Sequence, residues 1–146
     1  MVLRRCKFSD LQRIQEIEGI CFTRPYTYEM FLEMLLTFPE GFIVSEEQLE
    51  VVGYIIFNMI GSKGLVSSIC VLPDFKNKGI GQEMLDYAID FLVRRVEYIE
   101  LQVGVSNEAA KALYLKNGFR IVGLIRDYYW SGEDAYVMKR MSSILN

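Results

Sequence analysis

Apolar residues recur along the chain at two spacings, and the switches between them predict the secondary structure. Where they stand three or four positions apart, the spacing predicts a helix; where they alternate or run together over a short stretch, it predicts a strand. The predicted helices cover residues 10–20, the segment after Thr27, 82–95 and 107–116. The predicted strands cover residues 2–5, 42–45, 51–60, 65–72, 98–103, 119–125 and 135–141. The order β-α-α-β-β-β-α-β-α-β-β indicates an α/β domain with a mixed sheet.

Turn and cap residues set the ends of several elements. Ser9 and Thr27 precede helical patterns and are typical N-cap residues. Asn117-Gly118 follows the last helical pattern and predicts a stop in the left-handed conformation. A helix separates the strands at 65–72 and 98–103, so we expect these two strands to be parallel.

Length and charge narrow the class of protein. At 146 residues and 51% hydrophobic content, the chain predicts a single domain over residues 1–146 with a substantial core. A net charge of −3 argues against a nucleic-acid partner, which would need a basic face. The longest apolar run, residues 51–57, is far too short to cross a membrane. The N-terminus lacks the apolar core of a signal peptide, and we expect a cytoplasmic protein.

The chain contains no histidine, and this absence excludes several chemistries. Ser-His-Asp and Cys-His catalysis are impossible, and so are histidine-based zinc sites. The three cysteines, Cys6, Cys21 and Cys70, are widely spaced, and we interpret them as reduced, buried residues. With no carboxylate cluster standing out, we expect no metal.

The segment Lys76-Asn77-Lys78-Gly79-Ile80-Gly81 lies between a predicted strand and a predicted helix. A glycine-rich turn at a helix start points backbone N–H groups outward from the positive end of the helix dipole. It is therefore a candidate site for a phosphate or pyrophosphate. By itself, an ordinary strand-to-helix turn would explain it about as well.

Two further motifs resemble the same protein family as this glycine-rich segment. Ser106-Asn107-Glu108-Ala109-Ala110, with Tyr114 and Gly118-Phe119 after it, closely resembles a signature of the GNAT acyltransferases. The glycine-rich turn resembles the same family's motif, with Lys76 where the family has Arg or Gln. Asp127-Tyr128-Tyr129 and Gly132-Glu133-Asp134 look like the ending of its N-terminal acetyltransferases, of the RimI type and the archaeal and eukaryotic catalytic subunits. The resemblance covers nearly the whole chain.

The resemblance implies a fold and a co-substrate. The GNAT fold is a mixed, mostly antiparallel sheet with a splayed parallel central strand pair, flanked by about four helices. Acetyl-CoA would bond to main-chain groups of Ile69, Cys70 and Val71 and to the turn after them. The cofactor-binding residues in that turn would be Lys76, Asn77, Lys78, Gly79, Ile80 and Gly81. Asn107 would contact the pantetheine arm, and it is also a typical helix cap.

The resemblance also implies catalytic roles. Tyr114 stands at the position of the general acid that protonates the departing thiolate, although a tyrosine packed against the sheet would have the same spacing. Relatives carry Glu or His where this chain has Gln102, and an amide cannot act as a base. Glu100 shares the face of Gln102 by strand alternation, but a solvated strand carboxylate is the simpler interpretation. We therefore expect water to carry the proton, with either Gln102 or backbone carbonyls near Ser67 orienting it.

The substrate implied is the N-terminal α-amine of a protein. Its groove would use Phe22, Pro25 and Tyr26 from the first inter-helix loop, and Tyr128 and Tyr129 near the C-terminus. Two alternatives stay open: a GNAT enzyme acting on lysine or a small amine, and a non-catalytic acyl-CoA-binding domain. An auxiliary subunit is a further possibility.

Overall fold

The structure, a computed structural model, describes residues 1–22, 25–128 and 132–143. Its elements follow the predicted order. The strands are β1 (Val2–Arg5), β2 (Phe42–Glu47), β3 (Glu50–Ile60), β4 (Lys63–Val71), β5 (Tyr98–Gly104), β6 (Arg120–Ile125) and β7 (Ala135–Met141). The helices are α1 (Leu11–Cys21), α2 (Tyr28–Thr37), α3 (Ile80–Leu92) and α4 (Glu108–Lys116). None of the helices in the described part of the chain is long and apolar enough to span a membrane.

The seven strands form one sheet in the order β1-β2-β3-β4-β5-β7-β6. The pairs β1–β2, β2–β3, β5–β7 and β6–β7 are antiparallel. Strands β4 and β5 are parallel, with Lys63 opposite Tyr98 and Val66 opposite Leu101. The predicted fold class, a mostly antiparallel mixed sheet with one parallel pair and four helices, is confirmed.

The chain forms two compact units. The first unit comprises Met1–Asn58 and Ser67–Ala88, and the second comprises Met59–Val66 and the described part of Ile89–Asn146. Both units draw on two separate stretches of sequence. The expectation of one domain over residues 1–146 stays a prediction.

The core of the first unit is built from α1, α2, β2 and β3. Phe31 of α2 is fully buried and its ring lies 6.2 Å from Phe42 and 6.0 Å from Tyr54. Leu11, Ile14 and Ile17 of α1 are fully buried in the same cluster. Each such aliphatic side chain contributes about 1.5–3 kcal/mol of hydrophobic stabilisation.

The second unit buries alternate residues of β5. Ile99, Leu101 and Val103 are buried, whereas Glu100 and Gln102 between them are only partly so. This is the two-residue period of a strand with one covered face. The alternation leaves the two polar side chains together on the other face.

Local capping matches the predictions at two positions and differs at a third. The hydroxyl of Thr27 accepts the N–H of Met30 at 3.2 Å, and Gly118 has a φ of 91°. The predicted cap at Ser9 is wrong, because a short 3-10 turn, Phe8–Asp10, precedes α1. There the Asp10 carboxylate accepts the N–H of Lys7 at 2.7 Å and pairs with Arg4 at 2.8 Å.

The expectation of three reduced cysteines is also wrong. Cys21, at the end of α1, forms a disulfide with Cys70 of β4, 49 residues away in sequence. The fold brings their Cα atoms to 6.5 Å, which is within disulfide range. Cys6 is free and buried, as expected.

Candidate active site

The segment of residues 76–81 connects a short 3-10 turn after β4 to the first residues of α3. Asn77 and Gly79 have φ values of 64° and 82°, so the chain passes through the left-handed region twice before the helix begins at Ile80. No described atom lies within 4 Å of a Cβ placed on Gly79, so the space beside it is open. The first N–H groups of a helix have no intrahelical acceptor. These features suit an anionic ligand such as a pyrophosphate.

Lysine side chains flank this turn. Lys76 and Lys78 are both exposed. The ammonium group of Lys78 lies 5.2 Å from the centre of the Phe75 ring, a cation–π distance. The turn thus combines backbone donors with two positive charges, as the sequence predicted.

Strand β4 ends just before this turn, and its side chains alternate in burial. Ile69 and Val71 are partly exposed, whereas Cys70 between them is buried and bonded to Cys21. The thiol of Cys70 is therefore not available as a nucleophile, and the residue can serve a ligand only through its main chain. The backbone of β3 also comes close here: a Cβ on Gly53 would lie 2.8 Å from the carbonyl oxygen of Cys70.

A buried carboxylate, which the sequence analysis missed, lies in the first unit. Glu18 of α1 is only 2% exposed. Its Oε2 accepts the backbone N–H of Tyr26 at 2.8 Å, and its Oε1 accepts the hydroxyl of Tyr54. Burial, together with the Glu18 charge, raises the pKa of Tyr54 well above its usual value. The Tyr54 oxygen in turn lies 3.4 Å from Oγ of Ser68 on β4.

The predicted substrate residues of the first unit occupy the segment around this carboxylate. Phe22 is 38% exposed and Pro25 is exposed. Tyr26 is half-buried, and its ring meets Phe31 edge to face at 5.7 Å. Phe22 and Tyr26 are brought together through Glu18, since the main-chain oxygen of Glu18 accepts the N–H of Phe22 at 2.9 Å.

The proposed proton-transfer residues lie in the second unit on β5. Gln102 donates from Nε2 to Oε2 of Glu100 at 3.3 Å, which confirms that the two side chains share a face. Lys63 and Lys139 lie 3.6 and 3.9 Å from the same carboxylate, whose side chain is 17% exposed. Glu100 is thus a partly exposed carboxylate that pairs with two lysines, and whether it has a part in proton transfer stays a prediction.

The α4 region carries the other predicted residues of the second unit. Asn107 caps α4, with its Oδ1 accepting the N–H of Ala110 at 3.2 Å. Tyr114, on the last turn of α4, is 5% exposed, and its ring centre lies 5.9 Å from that of Phe119. Tyr128 is 46% exposed, and Tyr129 lies outside the described residues.

A second carboxylate holds the turn before α4. Glu133 accepts the backbone N–H of Ser106 at 2.9 Å and also the Ser106 hydroxyl. These hydrogen bonds lower the pKa of Glu133 below its usual value. Both residues belong to motifs that the sequence analysis singled out, but no sequence signal indicated that they touch.

Across residues 1–22, 25–128 and 132–143, no three cysteine or carboxylate side chains are grouped in a way that could hold a metal ion. The first unit offers backbone N–H groups and lysine charges, and the second unit offers a buried tyrosine and an amide.

Comparison with known proteins identifies the family. The Acetyltransferase (GNAT) family model matches residues 11–119. An N-alpha-acetyltransferase of Sulfurisphaera tokodaii is 35% identical, over 93% of this chain and 90% of that protein.

Solved structures share the fold. Ard1 from Thermoplasma volcanium has a TM-score of 0.92 at 24% identity, covering 99% of this chain and 98% of that one. Arabidopsis thaliana Naa50, in complex with the bisubstrate analogue CoA-Ac-MVNAL, has a TM-score of 0.85 at 22% identity, covering 95% and 97%. The family match and the 35% identity together establish that this chain belongs to the GNAT family of acetyltransferases.

Proposed function

We propose that this acetyltransferase moves the acetyl group of acetyl-CoA directly to the N-terminal α-amine of protein substrates. The observation that carries the proposal is the 35% identity, over nine-tenths of both chains, to a protein named N-alpha-acetyltransferase. The segments that contain Tyr26 and Tyr128 suit a peptide substrate. Their aromatic rings can form apolar walls, and their hydroxyl groups can hydrogen-bond to the peptide backbone.

Acetyl-CoA fits the features of the first unit. The open space at Gly79, the helix start at Ile80 and the charges of Lys76 and Lys78 suit its pyrophosphate. The main chain of Ile69, Cys70 and Val71 would bind the pantetheine, and the N–H of Val71 would stabilise the oxyanion. Asn107 would contact the same arm from the second unit. Acetyl-CoA supplies the activated thioester, and the protein supplies position and charge.

Tyr114 is the proposed general acid. Its burial at the end of α4 keeps the hydroxyl in one place, and we propose that it protonates the thiolate as coenzyme A leaves. A thiol with a reference pKa of about 8.5 is a fair leaving group even when this proton arrives late. Loss of the hydroxyl should therefore slow the reaction rather than stop it.

The missing strong base favours an α-amine over a lysine side chain. An α-amine with a pKa of about 7.7–8.0 is about one-tenth neutral at pH 7, whereas a lysine near 10.4 is neutral in about one molecule in a few thousand. Water oriented by Gln102 can then remove the remaining proton. If Gln102→Ala leaves both the rate and its pH dependence unchanged, Gln102 has no part in the mechanism.

We place the enzyme in the cytoplasm and allow for an auxiliary subunit, as the sequence analysis expected. The peptide groove would be formed by Phe22, Pro25 and Tyr26, with Tyr128 and Tyr129 from the other segment.

A peptide panel with free and blocked N-termini, analysed by mass spectrometry, tests the proposal. We expect acetylation on free α-amines and none on blocked peptides with internal lysines. Acetylation that persists on the lysines of blocked peptides would refute the α-amine as substrate and favour the lysine alternative. A protein that binds acetyl-CoA but releases no coenzyme A with any peptide would support the non-catalytic alternative.

A further inference from the structure

Glu18 is a buried carboxylate on the otherwise apolar face of α1. It follows Leu11 and Ile14 at helical spacing, and those two residues are fully buried. A charged group removed from water is costly unless hydrogen bonds compensate it. Its presence at 2% exposure therefore calls for a role that an apolar residue could not perform.

Glu18 is hydrogen-bonded to residues that precede and follow positions 23 and 24 in sequence. Its main-chain oxygen accepts the N–H of Phe22 at 2.9 Å, and its side-chain Oε2 accepts the N–H of Tyr26 at 2.8 Å. We call Phe22 and residues 25–27 the acceptor segment, because the proposed function assigns the amine-bearing peptide to it. The bond to Phe22 is the main-chain bond that ends α1, so the side chain of Glu18 holds the segment at Tyr26.

The other carboxylate oxygen connects this segment to β4. Oε1 accepts the Tyr54 hydroxyl, whose oxygen lies 3.4 Å from Oγ of Ser68, the residue before Ile69. Ring contacts follow the same route, since Phe31 lies 5.7 Å from Tyr26 and 6.0 Å from Tyr54. All of these residues belong to the first unit.

We propose that Glu18 is a positioning residue that holds the acceptor segment in register with β4, and so sets the affinity for the peptide. This inference rests on the proposed function. Both oxygens of Glu18 are occupied by Tyr26 and Tyr54, so the residue acts through them and not on the reacting atoms. Its removal should loosen peptide binding and leave acetyl-CoA binding intact.

The chemistry of the two partners allows a conservative replacement. In Glu18→Gln, the amide oxygen can accept the N–H of Tyr26, while the amide nitrogen can donate to the Tyr54 oxygen. The tyrosine hydroxyl is then free to turn toward Ser68. Glu18→Gln therefore keeps both connections without the charge, whereas Glu18→Ala loses both.

Steady-state kinetics on the full chain test the proposal through KM for the peptide, measured apart from kcat and from the Kd of acetyl-CoA. Loss of one hydrogen bond to a charged acceptor corresponds to about tenfold, so we expect the peptide KM of Glu18→Ala to rise at least about tenfold. The Kd for acetyl-CoA should stay within about twofold, and Glu18→Gln should recover most of the peptide affinity. Ile14→Ala is the control, because it removes a buried side chain from the same helix and the same core cluster but leaves both hydrogen bonds of Glu18 in place.

Backbone amide exchange at Tyr26 tests the contact without any activity. We expect slow exchange in the wild type and in Glu18→Gln, and exchange about tenfold or more faster in Glu18→Ala but not in Ile14→Ala. Unchanged exchange in Glu18→Ala would overturn the proposal, and so would faster exchange with an unchanged peptide KM. If the wild type acetylates no N-terminal peptide, the proposed function fails, and the exchange result alone decides whether Glu18 holds Tyr26.

Discussion

Two carboxylates, one in each compact unit, have the same kinds of partner and differ in burial. Glu18 accepts the N–H of Tyr26 and the hydroxyl of Tyr54, and Glu133 accepts the N–H and the hydroxyl of Ser106. Each therefore holds a segment that the sequence analysis assigned to function. Glu18 is 2% exposed, whereas the bonds of Glu133 are at the surface.

Burial changes what such a carboxylate contributes. At the surface, water can replace either partner of Glu133, and dissolved salt screens its charge. Glu18 is almost fully buried, so water replaces its carboxylate less readily, and loss of Glu18 removes the acceptor of the Tyr26 N–H and of the Tyr54 hydroxyl. The same kinds of hydrogen bond should therefore contribute more to stability in the first unit than in the second.

The largest expected difference is in stability. Glu18→Ala should lower the free energy of unfolding by about 2–4 kcal/mol, because the half-buried Tyr26 N–H and the buried Tyr54 hydroxyl lose their acceptor. Glu133→Ala should have a clearly smaller effect. Urea unfolding of the two variants measures both values, and equal losses would contradict the distinction drawn here.

The buried tyrosines Tyr54 and Tyr114 should differ in what their loss affects: stability for Tyr54 and the rate of the reaction for Tyr114. Tyr114→Phe should lower kcat by about 10–100-fold with little change in stability, since it removes a proposed proton donor. Tyr54→Phe should instead cost about 1–2 kcal/mol of stability, because Glu18 loses a donor inside the core. Measurement of kcat and of urea unfolding for both variants tests the two predictions. A Tyr114→Phe enzyme with wild-type kcat would remove Tyr114 from the mechanism.

Gly53 in the first unit and Gly104 in the second unit allow the same comparison at two positions where an added Cβ would contact a neighbour. A Cβ on Gly53 would lie 2.8 Å from the carbonyl oxygen of Cys70, whereas one on Gly104 would meet the Glu133 side chain at 3.0 Å. Main-chain atoms of β4 must shift in Gly53→Ala, and we expect about tenfold weaker binding of acetyl-CoA, consistent with a strain of about 1–3 kcal/mol. The flexible Glu133 side chain can move aside in Gly104→Ala, so that variant should bind almost normally. Isothermal titration with coenzyme A compares them.

The smallest expected effect is a dependence on pH. Because the hydrogen bonds from Ser106 lower the pKa of Glu133 in the folded protein, its ionised form contributes stability above the ordinary carboxyl pKa of about 4.3. That contribution is lost as the pH falls through the lowered value. The Tm of the wild type should therefore exceed that of Glu133→Gln at pH 7, and the two Tm values should become equal at acidic pH. A constant difference across this range would show that the charge of Glu133 is not involved.

The order of elements could be predicted from sequence because it depends on local spacing. Thr27 and Gly118 were predicted correctly for the same reason, since a cap needs only its own turn. Ser9 was not, because the competing hydrogen bonds of Asp10 involve Arg4 on the neighbouring strand β1. Where the partner lies outside the local segment, sequence spacing gives no guide to it.

The candidate site shows the same division. The glycine-rich turn is local, and its place between β4 and α3 was predicted from sequence, whereas its role in binding a phosphate stays a prediction. The contacts of Glu18 and Glu133 join residues brought together by folding, although an acidic residue on the apolar stripe of α1 was a signal that could have been noticed. The pairing of Cys21 with Cys70 across 49 residues had no comparable signal.

The state of the cysteines has a practical consequence for labelling. Two of the three are joined to each other, and burial together with the Asp10 charge raises the pKa of Cys6 to about 12. Alkylating reagents attack thiolates, and at neutral pH Cys6 offers almost none. A cysteine introduced at an exposed position of the acceptor segment would then be the one fast-reacting thiol. A fluorophore placed there could report peptide binding without removal of any native cysteine.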